Sequence, residues 1–259
     1  MKDIIDVGIK AAREAGEFLL KNADNQKKII EKDDWTFVTD IDPKAEKIVV
    51  DIIQSAFPGH GILCEEESVP VSDGEYLWII DPLDGTHNYI RGIPLYGVSI
   101  GIVYKEDIIG GIIYLPVEDA LYVSEKGNGA YKNEKRIHVS DRKDIGICTL
   151  SYDSSIRFNP VLKPKVLTAL GKKVFNVRMF GASTTLLTLL AEGKLDISVE
   201  FDDKPWDFAA GLSLVTEAGG KFTDFSGTPA TYTTKGYVAS NGLVHDEVCG
   251  VIRSVLGKE

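Results

Sequence analysis

Leu77-Trp78-Ile79-Ile80 is an unbroken apolar run that ends abruptly in Asp81-Pro82-Leu83-Asp84-Gly85-Thr86. A short apolar run bounded by turn residues reads as a buried strand. The chain must therefore fold around a sheet with two carboxylates at the end of one strand. Proline stiffens that connection and glycine releases it, so Asp81 and Asp84 can converge on one point. Hard divalent cations take several oxygens, carboxylates and backbone carbonyls alike. The carbonyl of Leu83 lies between the two acids. Gly85 and Thr86 then offer backbone N–H groups, which hold a phosphate if a helix starts there. The same residues fit a plain Asx turn with solvated acids; the apolar strand before them and Gly-Thr after them weigh toward a site.

Three further acid clusters carry the same two readings. Glu65-Glu66-Glu67 follows Ile62-Leu63-Cys64. It is either a solvated loop or the source of one Glu aimed into a metal site, since neighbours on an extended chain face opposite ways. Trp206-Asp207 precedes Phe208-Ala209-Ala210-Gly211, where Asp207 is a helix cap or a ligand. Asp40 and Asp42 follow Thr36 and Thr39, and Asp42 also fits the N-cap of a helix opened by Pro43. Together, the acids at 65, 81, 84 and 207 could supply a two-metal phosphoryl-transfer site. Two cations about 4 Å apart clamp the attacking and leaving oxygens and activate a water. No Walker A loop, GxSxG elbow or HExxH helix is present, and the four His show no ligand spacing.

The rest of the chain reads as alternating helices and strands. Ile5, Ile9, Ala12, Gly16, Leu19 and Leu20 predict a first helix, and Pro43 to about Ala56 a second. The segments 62–64, 77–80, 98–104, 108–115, 119–124 and 129–131 predict an antiparallel sheet on those helices. Helices are expected over 182–192, 207–218 and 246–256, with a strand over 197–199. This second stretch suggests an α/β half. The expected halves are 1–140 and 141–259, with a boundary near Ser140.

Composition narrows the function. A chain of 259 residues, 44% hydrophobic and 26% charged, buries a core without staples. Its 39 acidic against 29 basic residues give a net charge of −10. That sign argues against nucleic-acid and membrane-surface binding, both of which need a positive face. An anionic substrate stays compatible, because a bound cation reverses the local field. Cys64, Cys148 and Cys249 form no CxxC pair and are expected as buried thiols in a reducing cytoplasm. The N-terminus lacks the apolar core of a signal peptide, and no apolar run is long enough to cross a membrane. A soluble cytoplasmic protein is expected.

In this order the motifs resemble the inositol monophosphatase family of magnesium-dependent, lithium-sensitive phosphatases. The family includes archaeal-type members with fructose-1,6-bisphosphatase activity. Trp78 to Thr86 with Asn88-Tyr89 matches its central motif. Trp206-Asp207 with Ala209-Ala210-Gly211 and Glu217-Ala218-Gly219-Gly220 matches its C-terminal motif. Pro58, His60 and Ile62 to Glu66 match the segment before the central motif, and Lys32, Asp34, Thr36, Thr39, Asp42 and Glu46 the N-terminal pattern. The resemblance runs from about residue 30 to residue 220.

The resemblance implies a layered α-β-α-β-α sandwich with an α+β and an α/β half, as a homodimer. It implies two or three Mg²⁺ per site, held by Glu65, Asp81, Asp84, Asp207 and the Leu83 carbonyl. The Pro-x-His register selects Glu65 over Glu66. Asp42 and Thr86, with Glu65, are the implied catalytic groups, the first two orienting the attacking water. Asp84, Gly85, Thr86, His87, Gly181, Ala182, Ser183, Glu200 and Asp207 are the implied substrate contacts. The implied substrate is a small polyol or sugar phosphate such as inositol 1-phosphate. Fructose-1,6-bisphosphatase or dual activity is the alternative, suggested by Arg91-Gly92-Ile93-Pro94. His87-Asn88 after the DGT argues against the branch acting on 3′-phosphoadenosine 5′-phosphate, which carries Lys-Glu there. A non-catalytic regulatory binding protein is the reading from another class; retention of all four acids argues against it.

Overall fold

In the computed structural model, which describes residues 1–31, 37–66 and 74–257, the chain opens with α1 (Lys2–Asn22). Its buried face, from Ile4 through Ala11, Ala12 and Ala15 to Leu19, repeats at three- and four-residue steps. A short hairpin, β1 (Ile29–Glu31) with β2 (Phe37–Thr39), leads to α2 (Asp42–Ala56). The N-cap of α2 is Ile41, so Asp42 is its first helical residue and not its cap. Its carboxylate is turned to other donors, described below.

A seven-stranded sheet follows, in the order β3-β4-β5-β6-β7-β8-β9. Its strands are β3 (Gly61–Cys64), β4 (Tyr76–Asp84), β5 (Gly97–Tyr104), β6 (Asp107–Leu115), β7 (Ala120–Glu125), β8 (Gly129–Lys132) and β9 (Lys135–Ile137). The short helix α3 (Thr86–Ile90) interrupts them after β4. The sheet was expected to be antiparallel throughout, but β3 and β4 run parallel, with Cys64 beside Ile80. That pairing brings the acids after β3 and those at the end of β4 to the same edge of the sheet.

The second sheet has five strands, β10 (Thr149–Tyr152), β11 (Asn176–Arg178), β12 (Ile197–Glu200), β13 (Lys221–Thr223) and β14 (Tyr237–Ser240), in the order β11-β10-β12-β14-β13. It is mixed: β10 runs parallel to β11 and β12, whereas β14 is antiparallel to β12 and β13. The helices are α4 (Leu162–Gly171), α5 (Ser183–Ala191), α6 (Pro205–Glu217) and α7 (His245–Leu256).

Packed apolar cores between sheets and helices make five layers. α1 and α2 cover one face of the large sheet through Leu19, Val49 and Ile53 against Trp78, Ile100 and Ile112. α5 and α6 fill the middle layer, with Leu187, Phe208 and Leu214 between Ile113 of one sheet and Phe222 and Tyr237 of the other. Val166, Leu170, Val248 and Ile252 of α4 and α7 close the far face. The expected α-β-α-β-α sandwich is what forms. Cys64, Cys148 and Cys249 are buried free thiols. Among the described residues no helix is long and apolar enough to cross a membrane.

The position of α6 depends on two glycines. A Cβ at Gly111 would stand 2.3 Å from the Ala210 carbonyl oxygen, and one at Gly101 would stand 2.7 Å from the Ala209 Cβ. Both strands present bare backbone to the helix, which therefore lies directly on the sheet. Gly111→Val is expected to destabilise the fold by about 2 kcal/mol or more through overpacking. Urea unfolding checks this, and an unchanged midpoint would contradict the close seating of α6.

Candidate active site

The two aspartates of the apolar strand meet because β4 is irregular. Asp81 lies opposite Ser99 of β5 and Asp84 opposite Gly97, so three steps on one strand face two on the other. Residues three apart on a regular strand point to opposite faces. One extra residue restores them to the same side, which is what a β-bulge does. The turn expected at 81–86 is therefore this bulge followed by α3. Pro82 sits in it, where a missing N–H costs no ladder bond.

Each carboxylate is fixed by local donors. Asp81 Oδ1 accepts the Leu83 N–H at 2.9 Å. Asp84 accepts the N–H groups of Ser183 at 3.1 Å and Thr184 at 2.7 Å, together with the Thr184 hydroxyl. These donors open α5, whose positive end favours the charge. Asp207 is the third residue of α6, and its Oδ2 accepts the Lys204 N–H at 2.6 Å. It thus satisfies the N–H of the N-cap residue Lys204 and is also a member of the cluster. One carboxylate oxygen from each of Asp81, Asp84 and Asp207 lies within 4.8 Å of the others.

Glu65 joins them electrostatically. Its charge helps push the carboxyls of Asp81 and Asp207 above the ordinary range. The neighbouring Glu66 N–H instead donates to the Glu46 carboxylate at 2.9 Å. Lys32, Asp34, Thr36 and Glu67 lie outside the described residues. Burial is the largest cause of the rise at Asp81, Asp84 and Asp207; the charges of neighbouring acids add to it at Asp81 and Asp207. Converging oxygens that proximity drives toward neutrality are a donor set for a hard divalent cation.

Beside the cluster, Thr86 Oγ1 stands 3.0 Å from the Leu83 carbonyl and 3.1 Å from Asp42 Oδ1. The other oxygen of Asp42 accepts the Thr39 N–H at 3.0 Å and its hydroxyl at 2.5 Å. Burial raises the Asp42 carboxyl, against the lowering effect of these hydrogen bonds. Gly85, at φ +86°, has no room for a side chain: a Cβ would stand 2.7 Å from the Leu95 carbonyl oxygen and 3.0 Å from the Ala182 Cβ.

A cavity of about 190 Å³ opens from Asp84 and Asp207 toward Gly181, Ala182, Ser183 and Glu200. Asn88 Nδ2 donates to the Leu95 carbonyl at 2.9 Å and the Phe180 carbonyl at 2.8 Å, pinning this segment to α3. His87, by contrast, is exposed with its ring 5.8 Å from that of Phe37, and it does not line the cavity. Three residues of this region were not singled out from the sequence. Thr184 holds Asp84, while Asp153 and Asp203 line the cavity. Asp203 Oδ2 accepts the hydroxyls of Ser183 and Tyr237, both at 3.0 Å. The acid density of Asp202-Asp203 ahead of Asp207 was the available signal.

Comparison with known proteins agrees with this geometry. The model of the inositol monophosphatase family matches residues 1–256. A Thermotoga maritima protein named fructose-1,6-bisphosphatase/inositol-1-monophosphatase is 36% identical, over 98% of this chain and 97% of its own length. A Neisseria meningitidis protein named putative Nus factor SuhB is 35% identical, over 97% of this chain and 98% of its own. The solved structure of a Thermotoga maritima inositol monophosphatase superposes with a TM-score of 0.91 at 34% identity, covering 99% of each chain. That of the suppressor protein SuhB from Bartonella henselae superposes at 0.92 with 31% identity, covering 97% and 98%.

The raised carboxyls make a stability prediction. Each keeps its proton in the folded chain at pH values where the unfolded chain has lost it. The folded state then binds more protons, and stability falls as pH rises through that window. For Asp203, pushed up by burial and the Asp153 charge, the window runs from 3.8 to about 7. Metal-free protein should melt at a lower temperature near pH 7 than near about pH 5. Saturating Mg²⁺ should remove most of that drop. Thermal melts in EDTA and in Mg²⁺ check both, and the same drop with and without Mg²⁺ would contradict a cation site.

Proposed function

The chain belongs to the inositol monophosphatase family and is a phosphatase, and on that premise we propose its reaction, cofactor and acting groups. The substrate is a phosphate monoester of a small polyol or sugar, cleaved by water with Mg²⁺ as cofactor. The hydrogen-bonding distance between Thr86 and Asp42, at the edge of the carboxylate cluster, carries this reading. A site built only to hold a cation needs no pair that orients a water.

Glu65, Asp81, Asp84 and Asp207 would hold the cations, two or three per site, with the Leu83 carbonyl as a further oxygen. A divalent cation there neutralises charge on the phosphate and makes a nearby water more acidic. Thr86 Oγ1 has one proton and two acceptors in reach, so when it donates to Leu83, Asp42 Oδ1 is left to accept from a water. The Thr86 oxygen can accept from the same water, and two acceptors fix its orientation for in-line attack on phosphorus. The raised Asp42 carboxyl is a better proton acceptor than an exposed one. The Thr86 N–H, in the first turn of α3, has no acceptor within the helix and would donate to a phosphate oxygen. Positioning and charge stabilisation supply nearly all the catalysis in such chemistry, and no covalent phospho-enzyme is needed.

A second reading follows from the relatives named Nus factor, a role alongside a macromolecular partner. The Thr86–Asp42 arrangement weighs against a version of it without catalysis.

Thr86→Val keeps the side-chain shape and removes the hydroxyl. Its kcat for phosphate release should fall by about a hundredfold or more, with Mg²⁺ affinity and melting temperature unchanged. Wild-type turnover in the variant would remove Thr86 from the mechanism.

A further inference from the structure

The three aspartates of the cluster differ in how much of each carboxylate the protein already uses. Asp84 Oδ1 accepts the Ser183 N–H at 3.1 Å, while its Oδ2 accepts both the Thr184 N–H at 2.7 Å and the Thr184 hydroxyl. An ionised carboxylate has about four lone-pair sites, two on each oxygen. Oδ2 of Asp84 is therefore filled, and Oδ1 keeps a single site. Asp81 and Asp207 each accept one N–H among the described residues, from Leu83 and Lys204. They keep about three sites apiece.

The Thr184 hydroxyl is what closes Oδ2. Thr184 is fully buried, and its O–H donates to no other described residue. Room for it comes from Gly97, which pairs with Asp84 across the bulge. A Cβ on Gly97 would stand 3.1 Å from Thr184 Oγ1 and 2.9 Å from the Tyr114 carbonyl oxygen. The Thr184 carbonyl accepts the Thr188 hydroxyl at 2.8 Å, which fixes the turn. The neighbouring Ser183 hydroxyl goes elsewhere, to Asp203 Oδ2 at 3.0 Å. One buried hydroxyl on a fixed turn thus decides how many oxygens Asp84 can offer.

Divalent cations differ in what they ask of a carboxylate. Mg²⁺ is small and demands octahedral geometry, which one oxygen per carboxylate suits. Ca²⁺ is larger, gathers about six to eight oxygens and readily takes both from one carboxylate. Resting on the cation site of the phosphatase reading, we propose that the Thr184 hydroxyl confines Asp84 to a one-oxygen contact through Oδ1, and so biases the site toward Mg²⁺ over Ca²⁺. Thr184 is a positioning residue that acts through Asp84. Without the hydroxyl, a lone pair on Oδ2 is freed and Asp84 can present both oxygens to the larger ion.

Calorimetric titration of metal-stripped protein with Mg²⁺ and with Ca²⁺, in the absence of substrate, gives the test. Thr184→Val keeps the side-chain shape and removes the hydroxyl. Its ratio of Ca²⁺ to Mg²⁺ dissociation constants should fall by about tenfold or more, the size typical when a partner of a metal ligand is lost. Thr184→Ser, which keeps the hydroxyl, should hold the wild-type ratio. An unchanged ratio in folded Thr184→Val, or the same fall in Thr184→Ser, overturns the proposal. Equal weakening of both cations in Thr184→Val, as a merely loosened anchor would give, overturns it too. So does a wild-type crystal grown in Ca²⁺ with both Asp84 oxygens on the ion, a result that needs no variant to fold. Wild-type protein that binds neither cation is failure of the phosphatase reading itself, and takes the selectivity with it.

Discussion

Asp81, Asp84 and Asp207 repel one another, and the fold has to hold them together all the same. Two unit charges about 4 Å apart at an effective dielectric of about 20 interact by about 4 kcal/mol. Each acid is therefore anchored to something other than its neighbours. Asp84 is held by the first turn of α5, Asp81 by its own bulge, and Asp207 by the Lys204 N–H. The parallel pairing of β3 with β4 fixes the strand end from which Glu65 follows. A divalent cation bound among them would convert that repulsion into binding energy.

The same anchors explain why the layers are arranged as they are. α6 carries Asp207 and rests on the bare glycine backbone of β5 and β6, a seating that a side chain at Gly101 or Gly111 would block. α5 runs beside it, with its N-terminus against Asp84. The sheets thus contribute different chemistry to one cleft. The large sheet brings the bulge, α3 and Thr86; the small one brings Glu200 at the end of β12. Asn88 bonds the two sides through the Phe180 carbonyl.

Much of this was legible in the sequence because it is local. The apolar run before Asp81, the helical period of α1, and Gly219-Gly220 after α6 each carry their signal within a few residues. The parallel pairing of β3 and β4 is a matter of topology, and no residue of either strand encodes it. α4 was not anticipated, because Pro164 lies in its first turn and Lys163, which a pattern counts as surface, is fully buried. Asp203 and Asp153 escaped for a related reason: their role comes from what stands opposite them across the cavity. Asp42 was open to two readings, cap or water-orienting group; the cap is Ile41, and the Asp42 oxygens face Thr39 and Thr86. His87 sat inside a matching motif, yet α3 turns its ring toward Phe37.

The account stands on Asp207 completing a cation site that hydrolyses phosphate esters. Asp207→Asn keeps an oxygen for the Lys204 N–H while removing one charge from the cluster. Phosphate release from inositol 1-phosphate, measured in Mg²⁺ and in EDTA for both proteins, tests this directly. Wild-type release that requires Mg²⁺ and is lost in a folded Asp207→Asn protein is the predicted result. Release that survives EDTA, or an Asp207→Asn protein as active as the wild type, would contradict it.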